Sequence, residues 1–330
     1  MRVLVSGAGG FLGRHVVAQL LKRGHKVRAI IRPTSPLDKW SSDVDIFRAD
    51  LRNCDKLASA FEGIDAVLHL AAETSGNEDV QFASSVVGTE SFLDAMTKSS
   101  VKRLVYVSSL VVYDWARAKG IINEDTPLLS DAYDMGAYTI AKVWQERVVS
   151  RLAKAHSWDL TIMRPGFIWG YQHAQIAAMG RRVGRTYLMF GPFSRLPLSH
   201  VVNCADCLVA AVERPAAVGE TFNVIDGDDI RVWRYVHEYA KRTGQRGCLV
   251  PLPYRFGFGL AHLALFVSRT LFGKKGQLPS LLMPRRFESQ FKPIRFSNRK
   301  LKEKLQWIPP LAFDACLNET YGAKRINSVD

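Results

Sequence analysis

"RVLVSGAGGFLG", residues 2–13, is the stretch that decides the fold. Residues 2–6 form a short apolar run of β-rich composition, "GAGG" follows as a turn, and a helical pattern runs from Phe11 to Lys22. After a break at Gly24 comes a second strand, "KVRAIIR". Strand, glycine turn, helix, strand is the opening of a parallel βαβ unit. Gly7, Gly10 and Gly13 sit between the strand and the helix. Missing side chains there permit a tight turn, backbone approach to a diphosphate, and close packing of helix on sheet. The helix N-terminus then faces the anion. A dinucleotide site is expected.

The alternation continues through "VDIFRAD", "DAVLHLAA", a helix from about Gln81 to Lys98, "KRLVYVSS", a helix carrying Tyr138, and "DLTIMRPG". Six strands with intervening helices predict an α/β fold, a doubly wound parallel sheet that binds ligands at the carboxyl ends of its strands. Beyond Gly166 the rhythm loosens. Helical patterns recur near residues 172–184, 203–213, 232–243, 256–272, 298–305 and 312–321, with short strands at "TFNVI" and "CLVPL". Residues 1–166 are therefore expected to form the dinucleotide-binding domain, completed by later elements near 200–225. Residues 167–330 are expected to form a smaller, mostly helical substrate lobe.

A chain of 330 residues, 47% apolar and 23% charged, has the composition of a soluble protein with a sizeable core. Met1 and Arg2 lead straight into the first strand without a basic leader or cleavage site, which predicts a cytoplasmic location. Cys54, Cys204, Cys207, Cys248 and Cys316 are scattered and read as reduced and structural, and no metal-ligand cluster is expected. The net charge is +14, but residues 274–304 hold ten Lys/Arg against two acids, a surplus of eight. With no nucleic-acid module around it, this excess reads first as a solvated face and second as attraction to an anionic membrane surface or an acidic substrate. Peripheral membrane contact through 256–304 is one expectation, and binding to nucleic acid is not.

NAD binders usually carry an acid at the end of the second strand for the ribose hydroxyls. Here that place reads "IIRPTS". Ile31 accepts no such bond, whereas Arg32 can pair with a 2′-phosphate and Ser35 can add a donor, which favours NADP over NAD.

In "AYTIAK", residues 137–142, Tyr138 and Lys142 stand four apart, on one face of the predicted helix. With this pair in place the chain resembles the extended short-chain dehydrogenase/reductases, including the NAD(P)-dependent epimerase/dehydratase group, over nearly its whole length. The marks are "GAGGFLG", "ADLRN", "HLAA", "VSSLVVY", "YTIAK" and "RPGFIWG", in order and at family-like distances. The resemblance implies a Rossmann fold in which Asp50 meets the adenine and Ala71 and Ala72 line the cofactor path. It also counts Phe11, Leu12, Leu51 and Pro165 among the cofactor-binding positions, and it implies pairing as a homodimer. It makes Ser109, Tyr138 and Lys142 the catalytic group. Ser109 is preferred to Ser108 because the family's catalytic Ser/Thr stands four residues before the tyrosine of its "VY" element, here Tyr113.

The chemistry explains the spacing. Hydride transfer between a nicotinamide and a carbonyl needs a proton at the oxygen, and a free tyrosine with a pKa near ~10 is a poor base at neutral pH. Lys142, helped by the oxidised nicotinamide ring, is expected to lower that pKa and to hold the nicotinamide ribose, while Ser109 donates to the substrate oxygen. Histidines 69 and 200 receive no chemical role.

Nucleotide-sugar enzymes of the family place an Asn after the sixth strand and an Arg in an "RDYIHV"-like segment. Phe167 and Leu196 stand there instead, with Arg195 one position away. In "RFGFGLAHLALFVSRTLFG", Arg255, His262 and Arg269 recur every seven residues on an otherwise apolar helix. Such a helix could roof an apolar pocket, lie on a membrane, or pack against the sheet domain. The layout is similar to the 3β-hydroxysteroid-dehydrogenase-like branch. It favours an oxidoreductase interconverting a secondary alcohol and a ketone on a lipophilic small molecule with a bulky apolar portion, ahead of a nucleotide-sugar epimerase/dehydratase or a non-catalytic NADP-binding regulator.

Overall fold

The computed structural model describes residues 1–35, 42–53, 57–72, 78–227, 229–245, 247–273, 278–279 and 282–322. Its centre is a sheet of seven parallel strands: β1 (Arg2–Ser6), β2 (Lys26–Ile31), β3 (Val44–Arg48), β4 (Ala66–His69), β5 (Arg103–Val107), β6 (Asp159–Pro165) and β7 (Thr221–Val224). Their spatial order is β7-β6-β5-β4-β1-β2-β3, so the winding reverses between β1 and β4 and leaves a crevice at that switch point. The first six are the strands expected from the sequence. The seventh is "TFNV", expected only as a short strand, and it pairs in parallel with β6 from Thr221↔Ile162 to Val224↔Pro165.

The strands are apolar on both faces because both are covered. Val3, Val5, Ala29, Leu68 and Val107 face one layer, formed by α1 (Phe11–Lys22) and α4 (Val201–Glu213). Leu4, Ile30, Val67, Leu104 and Ile162 face the other, formed by α2 (Glu78–Thr97) and α3 (Ala137–His156). Neighbouring residues on a strand thus enter different cores, as the two-residue period requires. Leu301, Leu305 and Trp307, from far along the chain, complete the first of these cores.

The C-terminal lobe is less helical than expected. Residues 172–184 do not form a helix. Ala177–Met179 make a single 3₁₀ turn, and Arg181–Val183 pair antiparallel with Thr186–Phe190, which in turn pairs in parallel with Cys248–Leu252. Gly180 explains the departure: its φ is 114°, and a Cβ there would lie 2.0 Å from the Leu188 carbonyl oxygen. Around this small sheet stand α5 (Val232–Thr243), α6 (Tyr254–Phe272), α7 (Pro284–Phe291), α8 (Arg299–Leu305) and α9 (Phe313–Gly322). Helix α7 was not anticipated. Helix α6 packs one side against Phe190, Phe287 and Phe291 and leaves the other in solvent.

At least half of the bases in 274–304 bond groups of the fold while several of them stay in contact with solvent. Arg285 and Arg286 donate to the carbonyls of Asp131 and Asp134, at 2.8 and 2.9 Å. Lys292 reaches Glu288 at 2.9 Å and the Trp115 carbonyl at 2.5 Å, and Lys300 and Lys304 both pair with Glu220 at 2.8 Å. Lys274 and Lys275 lie outside the described residues. Cys204, Cys207 and Cys316 are buried free thiols, while Cys248 is exposed on its strand; Cys54 falls outside the described residues.

Candidate active site

The switch-point crevice opens into a cleft of about 440 Å³. Gly7, Gly10, Phe11, Leu12 and Gly13 line one wall. The glycines are required by the backbone. A Cβ on Gly13 would sit 2.2 Å from the Gly7 carbonyl oxygen, and one on Gly7, whose φ is 70°, would sit 2.9 Å from the Ala71 nitrogen. Helix α1 therefore starts hard against the end of β1, and the turn before it lies against the chain leaving β4. That cradle fits a diphosphate.

Along the cleft, Arg32, Ser35, Asp50, Leu51 and Arg52 form the end nearest β2 and β3, and Ala71 and Ala72 continue the wall beyond β4. No acid stands at the end of β2. Arg52 grips Asp50 through two guanidinium bonds, Nη2 to Oδ2 at 2.6 Å and Nε to Oδ1 at 3.0 Å. This contact, with Arg32 adding a further pull, lowers the Asp50 pKa below the usual carboxylate range. Two arginines beside the same pocket end suit a phosphorylated ribose.

At the other end of the cleft stand Val107, Ser108, Tyr138 and Lys142. Helix α3 brings the last two there from adjacent turns. Lys142 is 3% exposed; its ammonium donates to the Val107 carbonyl at 2.9 Å and lies 5.5 Å from the centre of the Tyr106 ring. Burial lowers its pKa to about 8, with the Glu146 carboxylate pulling the other way. Tyr138 is half-buried and lines the cleft. Burial pushes its hydroxyl above the ordinary tyrosine range, and a hydrogen bond with Ser109 opposes the shift. In the protein alone burial dominates this shift, and the contact that opposes it comes from Ser109.

The two candidate serines differ in their partners. Ser108 spends its hydroxyl on Glu146, whereas the Ser109 hydroxyl faces Tyr138 and accepts the Val111 amide at 3.4 Å. Glu146 is itself held by Arg164, through Nη2 at 2.5 Å and Nε at 3.2 Å. Arg164 donates onward to the Tyr113 hydroxyl at 2.8 Å, which donates to Asn223 at 2.7 Å. A second buried chain runs from Ser6 through His69 and Thr89 to Gln145. His69 is held neutral by burial, reinforced by the Lys142 charge, with a pKa lowered to about 3. His200 is lowered to about 4 by burial first and His15 second, and it pairs with Thr320 at 3.1 Å.

Every cofactor-binding position expected from the sequence lines the cleft except Pro165, which is buried at the end of β6. Among the lining residues that escaped the sequence reading, three stand out. Arg52 was legible in principle, inside "ADLRN" two positions after Asp50. Ser85 reaches the cleft from α2 and carried no local signal. His173 stacks on Phe11 with ring centres 4.0 Å apart, and nothing in its own stretch announced that contact.

A family model described as the NAD dependent epimerase/dehydratase family matches residues 3–224. The chain is 26% identical to a 4-hydroxy-2-methyl-3-oxo-4-farnesyl-3,4-dihydroquinoline-1-oxide ketoreductase of Stigmatella aurantiaca, over 82% of each chain. It is 30% identical to a 3 beta-hydroxysteroid dehydrogenase/Delta 5→4-isomerase of Mycobacterium tuberculosis, over 74% of this chain and 70% of that one. Among solved structures, the UDP-glucose 4-epimerase of Thermotoga maritima superposes with a TM-score of 0.74 at 19% identity, covering 99% of this chain and all of the other, and so shares the fold.

Proposed function

The chain belongs to the NAD dependent epimerase/dehydratase family, within the extended short-chain dehydrogenase/reductases, and from that premise we propose that it is an NADP-dependent oxidoreductase. On this reading it interconverts a secondary alcohol and a ketone on a bulky apolar substrate. The observation that carries the proposal is that Tyr138 and Lys142, from adjacent turns of α3, line the same cleft that begins at the glycine turn.

Gly7, Gly10 and Gly13 hold the diphosphate, Arg32 and Arg52 the 2′-phosphate, and Lys142 the nicotinamide ribose. The bound dinucleotide supplies or accepts the hydride. Tyr138 gives its proton to the substrate oxygen in reduction and takes it back in oxidation, and a hydroxyl kept protonated by burial is ready for the first of these. Ser109 donates to the same oxygen and fixes its position. Lys142, with a pKa near 8, is mostly cationic at neutral pH and so can donate to the ribose hydroxyls.

Three further observations support an apolar substrate. Phe167 packs into the lobe's core, and Leu196 is buried there, at the places where sugar-nucleotide enzymes carry polar residues. Arg195, the nearest substitute, is engaged by Asp229. The two relatives named above carry a farnesyl-bearing ring and a hydroxysteroid in their names. The test is Tyr138→Phe, assayed with NADPH on whichever ketone of a lipophilic panel the wild type reduces. Turnover should fall by roughly 10²–10⁴ while NADPH binding persists. Equal turnover by the two proteins would remove the mechanism.

A further inference from the structure

Helix α6 (Tyr254–Phe272) has one side in the lobe's core, where Gly257, Ala261 and Ser268 are buried and Tyr254 and Phe258 are half-buried. The opposite side is apolar and faces solvent. Phe256 is 55% exposed, Leu260 44%, Leu263 58%, Phe266 68%, Val267 42% and Leu271 68%. With 3.6 residues per turn, these six side chains fall within an arc of about 140°. Arg255, His262 and Arg269 are all exposed and lie along one border of that arc, and the helix contains no Asp or Glu.

Isolated apolar residues on a surface need no explanation, but six on one helical face form a continuous patch. We propose that this face of α6 docks on the surface of an anionic lipid bilayer, with the six apolar side chains in the headgroup–acyl boundary and Arg255 and Arg269 on lipid phosphates. Charge complementarity selects this occupant. A second copy of the chain would bring the same bases and no acid to meet them, whereas anionic headgroups supply the missing counter-charge at the depth where the apolar arc ends. The helix lies along the membrane rather than through it. No helix among the described residues is long and apolar enough to cross one, and a bordered amphipathic face is the form of an interfacial helix.

The contact is narrower than the sequence suggested. Arg285, Arg286, Lys292, Lys300 and Lys304 already bond carbonyls or acids of the fold, and the proposal rests on α6. The inference stands on this surface alone and does not depend on the catalytic assignment.

Cosedimentation of the full chain with sucrose-loaded vesicles tests it, using roughly three parts phosphatidylcholine to one part phosphatidylglycerol beside pure phosphatidylcholine. Wild type is expected to pellet with the anionic vesicles and to be partly released by salt. Leu263→Asp combined with Phe266→Asp should lower the bound fraction by at least about tenfold. Arg255→Glu combined with Arg269→Glu should abolish the preference for phosphatidylglycerol. All four side chains are exposed, and NADPH binding and thermal melting of each variant report that the fold is kept. A Phe266→Trp variant gives a direct reading: its emission should shift to the blue on anionic vesicles and be quenched by brominated lipid. Failure of wild type to pellet, or an indole that brominated lipid does not quench, overturns the proposal. So does a wild-type dimer that ignores vesicles and is split by the double aspartate variant, since a second copy would then cover the face.

Discussion

Replacing Lys142 with methionine should stabilise the protein at neutral pH while removing its activity. The side chain is 3% exposed, and burial lowers its pKa from the 10.5 of a free lysine to about 8. At about 1.36 kcal/mol per pH unit, the native state gives up roughly 3.4 kcal/mol at pH 7 to keep the ammonium charged. The sign follows from proton counting. Between pH 8 and 10.5 the unfolded chain holds a proton that the native chain has released, so native stability rises with pH across that window. The penalty is full below the folded value and vanishes above the unfolded one. A methionine escapes it and forfeits the bond to the Val107 carbonyl, a charged-donor contact of about 1.5 kcal/mol, so the net gain near pH 7 is about 2 kcal/mol. Near pH 10 the wild-type penalty has shrunk to about 0.8 kcal/mol, and the gap between the two proteins should have moved by about 2.5 kcal/mol. Urea unfolding of both proteins at a series of pH values measures that gap directly. A gap that stays constant from neutral to alkaline pH would refute the reasoning, because the charge of Lys142 would then carry no folding cost.

Gly13→Ala forces a methyl against the Gly7 and Ala8 carbonyls, which are backbone atoms and cannot swing aside. It should cost about 1–3 kcal/mol or more in urea unfolding and weaken NADPH binding in a fluorescence titration. Arg32→Ala should reduce affinity for NADPH by about tenfold, one charged hydrogen bond's worth, and leave NADH affinity nearly unchanged; equal losses for both would place Arg32 outside the 2′-phosphate contact.

What the sequence revealed and what it hid divide along local and distant interactions. The glycine turn, β1 and α1 were readable to the residue because Gly7, Gly10 and Gly13 act within one turn of chain. Tyr138 and Lys142 were readable because four residues of helix fix their common face. Residues 172–184 were misread as a helix because "AQIAAM" favours one locally. A glycine at φ 114° and pairing with Thr186–Phe190 overrule that preference. His173 was invisible for the opposite reason: its partner, Phe11, lies more than 160 residues away, and only folding brings the rings together. The basic excess and the apolar circumference of α6 were both plain as composition. Whether each met protein or water depended on tertiary packing: at least half of those bases bond groups of the fold, and the apolar arc stands exposed.

The reach of Leu208, Phe222, Leu301 and Trp307 into the core beneath β1 and β5 sets the order in which this protein can be made. A nascent chain halted near residue 166 would expose the outer edge of β6, still lacking β7, and an apolar sheet face that α4 has not yet covered, both of them adhesive surfaces. The ribosome delivers the coenzyme's glycine turn first, yet the sheet supporting it closes only after Trp307 has emerged. Maturation of this enzyme is therefore a late event in its synthesis, and chaperone demand falls on the interval between those two moments.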